Sequence, residues 1–242
     1  MIDLCRMLMM KGFSEDLVKA LVEAARDDPY GARRWKGKEP NHPDGWGFVG
    51  VEEGRFVEYR STRAVWEDER GLEFLNNNFG TLNLLHVRKT SIKGTEAHPQ
   101  NVQPVGVLNV LWIGYNGTID PSTLEAPYPI RRMMSSGTLA DTAAVAWAVM
   151  ENYSEDPLLT AMRVKGWLEE VLPEGSGAAV FFVDVYGNAG YAWECKECKK
   201  EELDYYKIYF YEVGSVKAVA SSTVALKHGE KNWREAPKYG SL

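Results

Sequence analysis

Two neighbouring stretches decide the fold: LADTAAVAWAVMEN at residues 139–152 and PLLTAMRVKGWLEEVL at residues 157–172. In both, apolar residues recur at the spacing of a helix, and Pro173 and Gly175 end the second. Segments rich in β-branched and aliphatic residues lie before and after this pair. The order of strands, two helices and strands predicts an α+β fold, with two sheets and helices packed outside them.

The rest of the chain is assigned from shorter patterns. Ser14 is suited to cap a helix that we expect to end at residues 28–31, and a short helix is expected over residues 68–77. The charged segment 196–202 is expected to be an exposed connection. The predicted strands are residues 2–10, 46–51, 55–60, 81–87, 105–113, 177–185, 189–194, 205–213 and 216–221.

Composition excludes several classes of protein. The chain has 242 residues, of which 45% are hydrophobic and 26% charged, and no repeat or linker divides it, so we expect a single domain over residues 1–242. Its apolar runs are too short to cross a membrane, and no secretory signal opens it, so we expect a cytoplasmic protein. The net charge of -6 and the scattered Lys and Arg residues argue against a nucleic-acid partner.

Three cysteines are too few for a disulfide framework in a chain of this length, which fits a reducing compartment. The spacing of Cys195 and Cys198 fits half a zinc site or a redox pair. However, neither His98 nor His228 supplies a second closely spaced pair of ligands. We therefore expect neither role; a disulfide here would act as a local staple.

Six short segments carry the residue types that glutamine-dependent amide chemistry requires. In this order, they resemble the class II glutamine amidotransferase domain, a member of the N-terminal nucleophile hydrolases. Any one alone would be weak, since Asn-Gly is also a common tight-turn signal. The segments are CRML (5–8), HPDGWG (42–47), HVRKTS (86–91), NVQP (101–104), YNGTI (115–119) and DT (141–142).

The resemblance implies a stand-alone, four-layer αββα sandwich with no cofactor and no metal. It also implies that Cys5 is the nucleophile, attacking the glutamine side-chain amide to form a γ-glutamyl thioester that yields glutamate and ammonia. The Asn116 side chain and the Gly117 N–H would bind the oxyanion. The resemblance also implies that three residues lie in loops that shape the walls of the pocket: Asn101, Gln103 and Trp46.

Substrate contacts are also implied by the resemblance. Arg88 would bind the α-carboxylate of glutamine and Asp141 its α-ammonium. Thr90 or Ser91 would lie beside them, and because the segment has one residue more before Gly94 than the usual family form, the choice between the two hydroxyls stays open. His98 and His86 are expected to be a loop residue and a packed strand residue rather than catalysts.

One departure from the family concerns the N-terminus. In the family the nucleophile is the first residue and its α-amino group is the general base, whereas four residues precede Cys5 here. Three explanations remain open: residues 1–4 are a short propeptide, the natural start differs, or the chain is an inactive relative that binds glutamine or a γ-glutamyl ligand. If the protein is a transferase, a separate synthase subunit would receive the ammonia.

Overall fold

The computed structural model describes residues 5–34, 39–90, 98–117, 119, 126–135, 139–229 and 231–242. These residues form strands β1 (Arg6–Lys11), β2 (Trp46–Glu52), β3 (Arg55–Ser61), β4 (Leu82–Val87), β5 (Val105–Val107), β6 (Leu111–Gly117), β7 (Ser176–Asp184), β8 (Ala189–Lys196), β9 (Ile208–Val213), β10 (Val216–Ser221), β11 (Trp233–Glu235) and β12 (Tyr239–Ser241). The α-helices are α1 (Glu15–Arg26), α2 (Pro29–Arg34), α3 (Glu69–Asn78), α4 (Tyr128–Ser135), α5 (Thr142–Glu151), α6 (Pro157–Val171), α7 (Lys200–Tyr206) and α8 (Ser222–His228).

The strands form two antiparallel sheets. The first has the order β11-β9-β10-β1-β4-β2-β3, so β1, which follows Cys5, is its central strand. The second has the order β12-β8-β7-β6-β5. Strand β4 pairs with β1 along the whole length of β1, and β7 does the same with β6, which holds the ends of β1 and β6 in fixed positions.

Three apolar cores separate four layers. Between the sheets, residues such as Met7 and Leu84 of the first sheet share a core with Trp112 and Phe181 of the second. The outer face of the first sheet packs against α1, α3 and α8, and the outer face of the second against α5 and α6. Side chains alternate between the two faces of each strand, so every central strand contributes to two cores. The predicted four-layer αββα sandwich is confirmed.

Several boundaries agree closely with the sequence prediction. The side chain of Ser14 accepts a hydrogen bond from the N–H of Leu17 and caps α1 as expected. Strand β10 and the helices α5 and α6 also lie within the predicted segments, and α3 extends one residue beyond its predicted segment. No helix among the described residues has the length and apolar character needed to cross a lipid bilayer.

The single strand predicted over residues 105–113 is wrong, because it is the hairpin β5–β6. Leu108 and Asn109 adopt positive φ angles of 55° and 56° at the turn, a conformation that the aliphatic pattern of the segment does not reveal. The strand resumes at Leu111 and continues to Gly117, farther than predicted. This register places Asn116 and Gly117 at the end of β6.

Two further segments differ from prediction. Residues 29–31 were expected to end a helix, but they begin α2, because Asp28 accepts hydrogen bonds from the N–H groups of Tyr30 and Gly31. The expected exposed connection at 196–202 includes the start of α7, which also removes Tyr205 and Tyr206 from the predicted strand 205–213. Both tyrosines are buried among core residues, so tertiary packing rather than local pattern forms this helix.

Candidate functional site

Cys5 and Asn116 meet where the two sheets face each other. The N–H of Cys5 donates to Asn116 Oδ1 at 3.0 Å, although 111 residues separate the two in the chain. Both side chains are buried, and Cys5 is present as a thiol. Because Oδ1 is held by Cys5, the amide nitrogen of Asn116 is the end of the side chain left to serve as a donor elsewhere.

Gly117 ends β6 directly after Asn116. It lies opposite Ala178 of β7, and a Cβ atom at this position would come within 2.7 Å of the Ala178 Cβ and 2.8 Å of the Tyr115 hydroxyl. Only glycine therefore fits without movement of the neighbouring strand. The tight packing fixes the direction of the backbone beside Asn116.

Arg88 follows β4, the strand next to β1. Arg6 pairs with Val87, so Cys5 and Arg88, the next residues on the two strands, lie at the same end of the sheet. The backbone of Arg88 is held on both sides, since its N–H donates to Gly45 and its carbonyl accepts from Asp44. Its side chain is buried, and a buried guanidinium requires polar or charged partners.

Thr90 is held two residues beyond Arg88. Its N–H donates to Asp44 Oδ2 at 2.8 Å, and the residue is half-buried. Ser91, the other candidate hydroxyl, lies outside the described residues, as do residues 1–4. The assignment of the family hydroxyl therefore stays a prediction.

Asp141 lies at the start of α5, where it was expected. Its side chain makes no capping bond to that helix, and Oδ2 instead accepts from the N–H of Ile119 at 3.2 Å. Ile119 is two residues beyond Gly117, so the carboxylate is tied to the segment that continues from β6. Asp141 is buried, whereas a carboxylate that only capped a helix would be more exposed to solvent.

The side chains of Gln103 and Asn101 make hydrogen bonds near Asn116 and Asp141. Gln103 Oε1 accepts from the N–H of Tyr115 at 2.6 Å while its Nε2 donates to Thr142, and Asn101 Oδ1 accepts from the N–H of Ala140. Both therefore link the loop before β5 to the elements that carry Asn116 and Asp141.

The expectation that Trp46 lies in a loop and shapes the pocket wall is wrong. It is the first residue of β2, and its ring is buried in the outer core between the first sheet and its helices. Its indole N–H donates to Asp68 Oδ2 at 3.0 Å. The side chain therefore packs on the face of the sheet away from the interior core.

A buried charged network, which the sequence does not reveal, is centred on Asp28 and includes Arg6, the residue after Cys5. Arg6 makes two parallel hydrogen bonds of 2.9 Å to the carboxylate of Asp28. The same carboxylate contacts His42 Nε2 at 3.0 Å and accepts from the Thr223 hydroxyl at 2.6 Å. Burial disfavours the Asp28 charge, but Arg6 and His42 outweigh it and hold the pKa of Asp28 well below its usual range.

Tyr205 links this network to the cysteine. Its hydroxyl lies 3.3 Å from the Cys5 carbonyl and 3.5 Å from Asn116 Oδ1, and its ring packs 3.8 Å from the Arg6 guanidinium carbon. Burial raises the pKa of Tyr205 well above its usual value, which keeps the hydroxyl protonated and able to donate. The sequence pattern predicts a strand at Tyr205, and only the tertiary contacts reveal its position in α7.

The network predicts a specific acid dependence of stability. The folded-state pKa of Asp28 is lowered, so its contribution is present above the unfolded-state value near 3.9 and is lost as the pH falls below it. We expect the free energy of unfolding to fall by about 1.4 kcal/mol per pH unit in this range from Asp28 alone. Asp28→Asn should be less stable and show a slope shallower by that amount in urea titrations between pH 4 and 2. Equal slopes for the two proteins would contradict the assignment.

His86 is a buried residue of β4 whose pKa is lowered. Its Nε2 lies 3.1 Å from the carbonyl of Tyr115, and burial, aided by the charge of Arg88, lowers the pKa of His86 to about 3 despite that hydrogen bond. The imidazole is therefore neutral near pH 7. As expected, it is a packed strand residue, and it joins β4 to β6 beside the Cys5–Asn116 pair.

Comparison with solved structures identifies the fold. Glutamine phosphoribosylpyrophosphate (PRPP) amidotransferase from B. subtilis, solved with ADP and GMP, aligns with a TM-score of 0.60 and 16% identity over 98% of this chain and 49% of its own. A structure described as the allosteric regulatory enzyme of purine biosynthesis gives a TM-score of 0.59 and 16% identity, over 98% of this chain and 48% of its own. This chain therefore spans about half the length of both.

A third structure matches from end to end. The glutamine aminotransferase class-II domain protein from Silicibacter pomeroyi aligns with a TM-score of 0.56 and 13% identity, over 98% of each chain. No family model matches this sequence, and the comparison with curated proteins gave no match. At these identities the likeness concerns the fold. This chain has the fold of the class II glutamine amidotransferase domain, of the N-terminal nucleophile hydrolase type.

Proposed function

We propose that this protein is a glutamine amidohydrolase of the class II amidotransferase kind, with Cys5 as its nucleophile. The observation that carries the proposal is the hydrogen bond from Cys5 N to Asn116 Oδ1. It joins the proposed nucleophile to the proposed oxyanion donor across two sheets, in a fold shared with glutamine amidotransferases.

The reaction would proceed in two stages. The Cys5 thiol gives its proton to the α-amine of the same residue, and the thiolate attacks the side-chain carbonyl carbon of glutamine. The Asn116 amide and the Gly117 N–H stabilise the oxyanion, ammonia leaves with the transferred proton, and a γ-glutamyl thioester remains. Water then hydrolyses the thioester to glutamate and restores the thiol.

Recognition of the substrate would rest on Arg88 and Asp141. A guanidinium matches the α-carboxylate in a planar, two-bond contact, and a carboxylate matches the α-ammonium. The buried side chains of both residues and their backbone ties to Asp44 and Ile119 support this assignment. Thr90 or Ser91 would add a hydroxyl beside them. These contacts also suit other γ-glutamyl compounds.

The general base, which is the α-amine of Cys5, would become available when residues 1–4 are removed. In the full chain the nitrogen of Cys5 is a peptide nitrogen, which has no lone pair available to accept a proton. Cleavage after Leu4 converts the same nitrogen into an amine with a pKa near 7.7–8.0. The existing hydrogen bond to Asn116 Oδ1 would keep this amine beside the thiol.

The same peptide nitrogen supports a second candidate function. A chain that keeps residues 1–4 lacks the α-amine of Cys5 and would bind glutamine or a γ-glutamyl ligand through Arg88 and Asp141 without hydrolysing it. In the transferase version of the first candidate, a separate synthase subunit would consume the ammonia.

The proposal is tested with two forms of the protein, the full chain and a chain that begins at Cys5. We expect glutamate release from glutamine by the shorter chain only, because only that chain carries the base. Intact-mass measurement during turnover should detect the added glutamyl group on that form. Equal binding of glutamine by both forms in calorimetry would show that the difference lies in chemistry.

Two results would decide against the enzyme. Glutamine binding without glutamate release by the Cys5-initiated chain would support the binding protein. Absence of both binding and release would reject glutamine as the ligand, and a panel of γ-glutamyl amides and peptides assayed in the same way would test the wider substrate class.

A further inference from the structure

The disulfide between Cys195 and Cys198 lies outside the proposed catalytic machinery but is connected to it by one helix. It joins the end of β8 to the residue before the N-cap of α7. The opposite end of α7 carries Tyr205, whose hydroxyl lies within hydrogen-bond distance of the Cys5 carbonyl and Asn116 Oδ1. We propose that this disulfide is a redox-responsive site, and that its reduction by a dithiol loosens α7 and disorders the surroundings of Cys5.

Helix α7 depends on external anchors. It has seven residues, which is too short for stability on its own, and its N-cap, Lys199, makes no side-chain capping bond. The disulfide immediately before the cap is therefore a covalent anchor for that end. The other end is held by packing and by the Tyr205 carbonyl, which accepts from Arg6 and Ser222.

The loop within the disulfide is suited to opening. Glu197 adopts a φ of 49°, in the left-handed region that a glutamate rarely occupies, and the closed ring constrains it there. Both cysteines are half-buried, while Glu197 and Lys199 are exposed, so a thiol reagent can approach. Cys198 Sγ also lies 3.4 Å from the Ser176 carbonyl, which provides an acceptor for the thiol that reduction creates.

A disulfide that closes a loop of four residues contributes less to global stability than one that closes a long loop, because it removes less entropy from the unfolded chain. Its effect should instead be local. One thiol of the dithiol attacks a sulfur to form a mixed disulfide, and the second displaces the protein thiol. Two electrons and two protons pass from the dithiol to Cys195 and Cys198, and the reagent becomes a cyclic disulfide.

The test compares the oxidised protein with the double variant Cys195→Ser/Cys198→Ser, both without reductant. We expect amide hydrogen exchange in α7 to be roughly tenfold faster in the variant, while α8 exchanges equally in both. We also expect iodoacetamide to alkylate Cys5 roughly threefold faster, because Tyr205 no longer holds its surroundings closed. The oxidised protein should acquire both properties after treatment with dithiothreitol and desalting, and the variant should not respond.

Each other result overturns the proposal. Unchanged exchange in α7 would mean that the disulfide does not anchor the helix, and faster exchange in α7 without faster alkylation of Cys5 would break the coupling. Faster exchange across α8 as well would indicate global destabilisation. If the proposed function holds, reduction of the disulfide should also lower glutamate release. This is the one consequence of the proposal that rests on the proposed function. Exchange and alkylation are measured without turnover, so a failure of the proposed function is separately visible.

Discussion

Replacement of Cys5 by alanine in the chain that begins at residue 5 is expected to abolish glutamate release. The loss should be at least about a thousandfold in kcat, because no other group can form the thioester and the remaining donors only stabilise direct attack by water. Steady-state release of glutamate measures kcat, and intact mass measures the covalent intermediate. No glutamyl adduct should form on the variant.

Binding and folding serve as controls for Cys5→Ala. The Cys5 side chain is buried, and replacement by alanine removes only the sulfur atom, so the variant should fold and bind glutamine with nearly the affinity of the parent. The substitution leaves Arg88 and Asp141 in place. Cys5→Ser, which keeps the amine and a weaker nucleophile, should show the same loss. Glutamate release by Cys5→Ala near the parental rate would reject Cys5 as the nucleophile.

Replacement of Asn116 by alanine should lower kcat by about a hundredfold to a thousandfold, the usual cost of one oxyanion donor. The KM for glutamine should change much less, because the oxyanion forms only on the way to the intermediate. The loss has two structural sources: the amide donor disappears, and the Cys5 nitrogen loses its acceptor. Steady-state kinetics of the Cys5-initiated chain would separate kcat from KM.

Two variants make the Asn116 test specific. Asn116→Asp keeps the shape and the oxygen that accepts from Cys5 but removes the donor and adds a negative charge, so its kcat should fall at least as far as that of Asn116→Ala. Asn77→Ala, on the exposed side of α3, should retain full activity. A large rise in KM with unchanged kcat for Asn116→Ala would mean that Asn116 binds substrate and does not stabilise the oxyanion.

The sequence alone determined the layered architecture because the informative patterns are long. The apolar periodicity of residues 139–152 and 157–172 is repeated over several turns, and the aliphatic segments on both sides are strongly strand-forming. Short elements were missed. Helix α7 and strands β11 and β12 contain only three to seven residues, and tertiary packing outweighs local preference in such segments.

The candidate site could be predicted from the sequence because its residue types occur in short segments whose order resembles that of a known family. The ordered segments singled out Cys5, Asn116, Arg88 and Asp141, and the structure brings Cys5 into contact with Asn116. The roles of these residues stay predictions that the variants above would test. Trp46 shows the limit of a motif, since alternation along β2 turns its ring to the outer face.

The tertiary structure alone decided what lies behind the cysteine. Arg6, Asp28, His42 and Tyr205 are distant in the chain, and each has an ordinary local interpretation as a strand, turn or helix residue. Together they form a buried ion pair with a ring stacked on it, because charges removed from water must find partners. The sequence by itself therefore determined the layers and the candidate reacting groups. The contacts that hold those groups in place depend on long-range packing that no local pattern encodes.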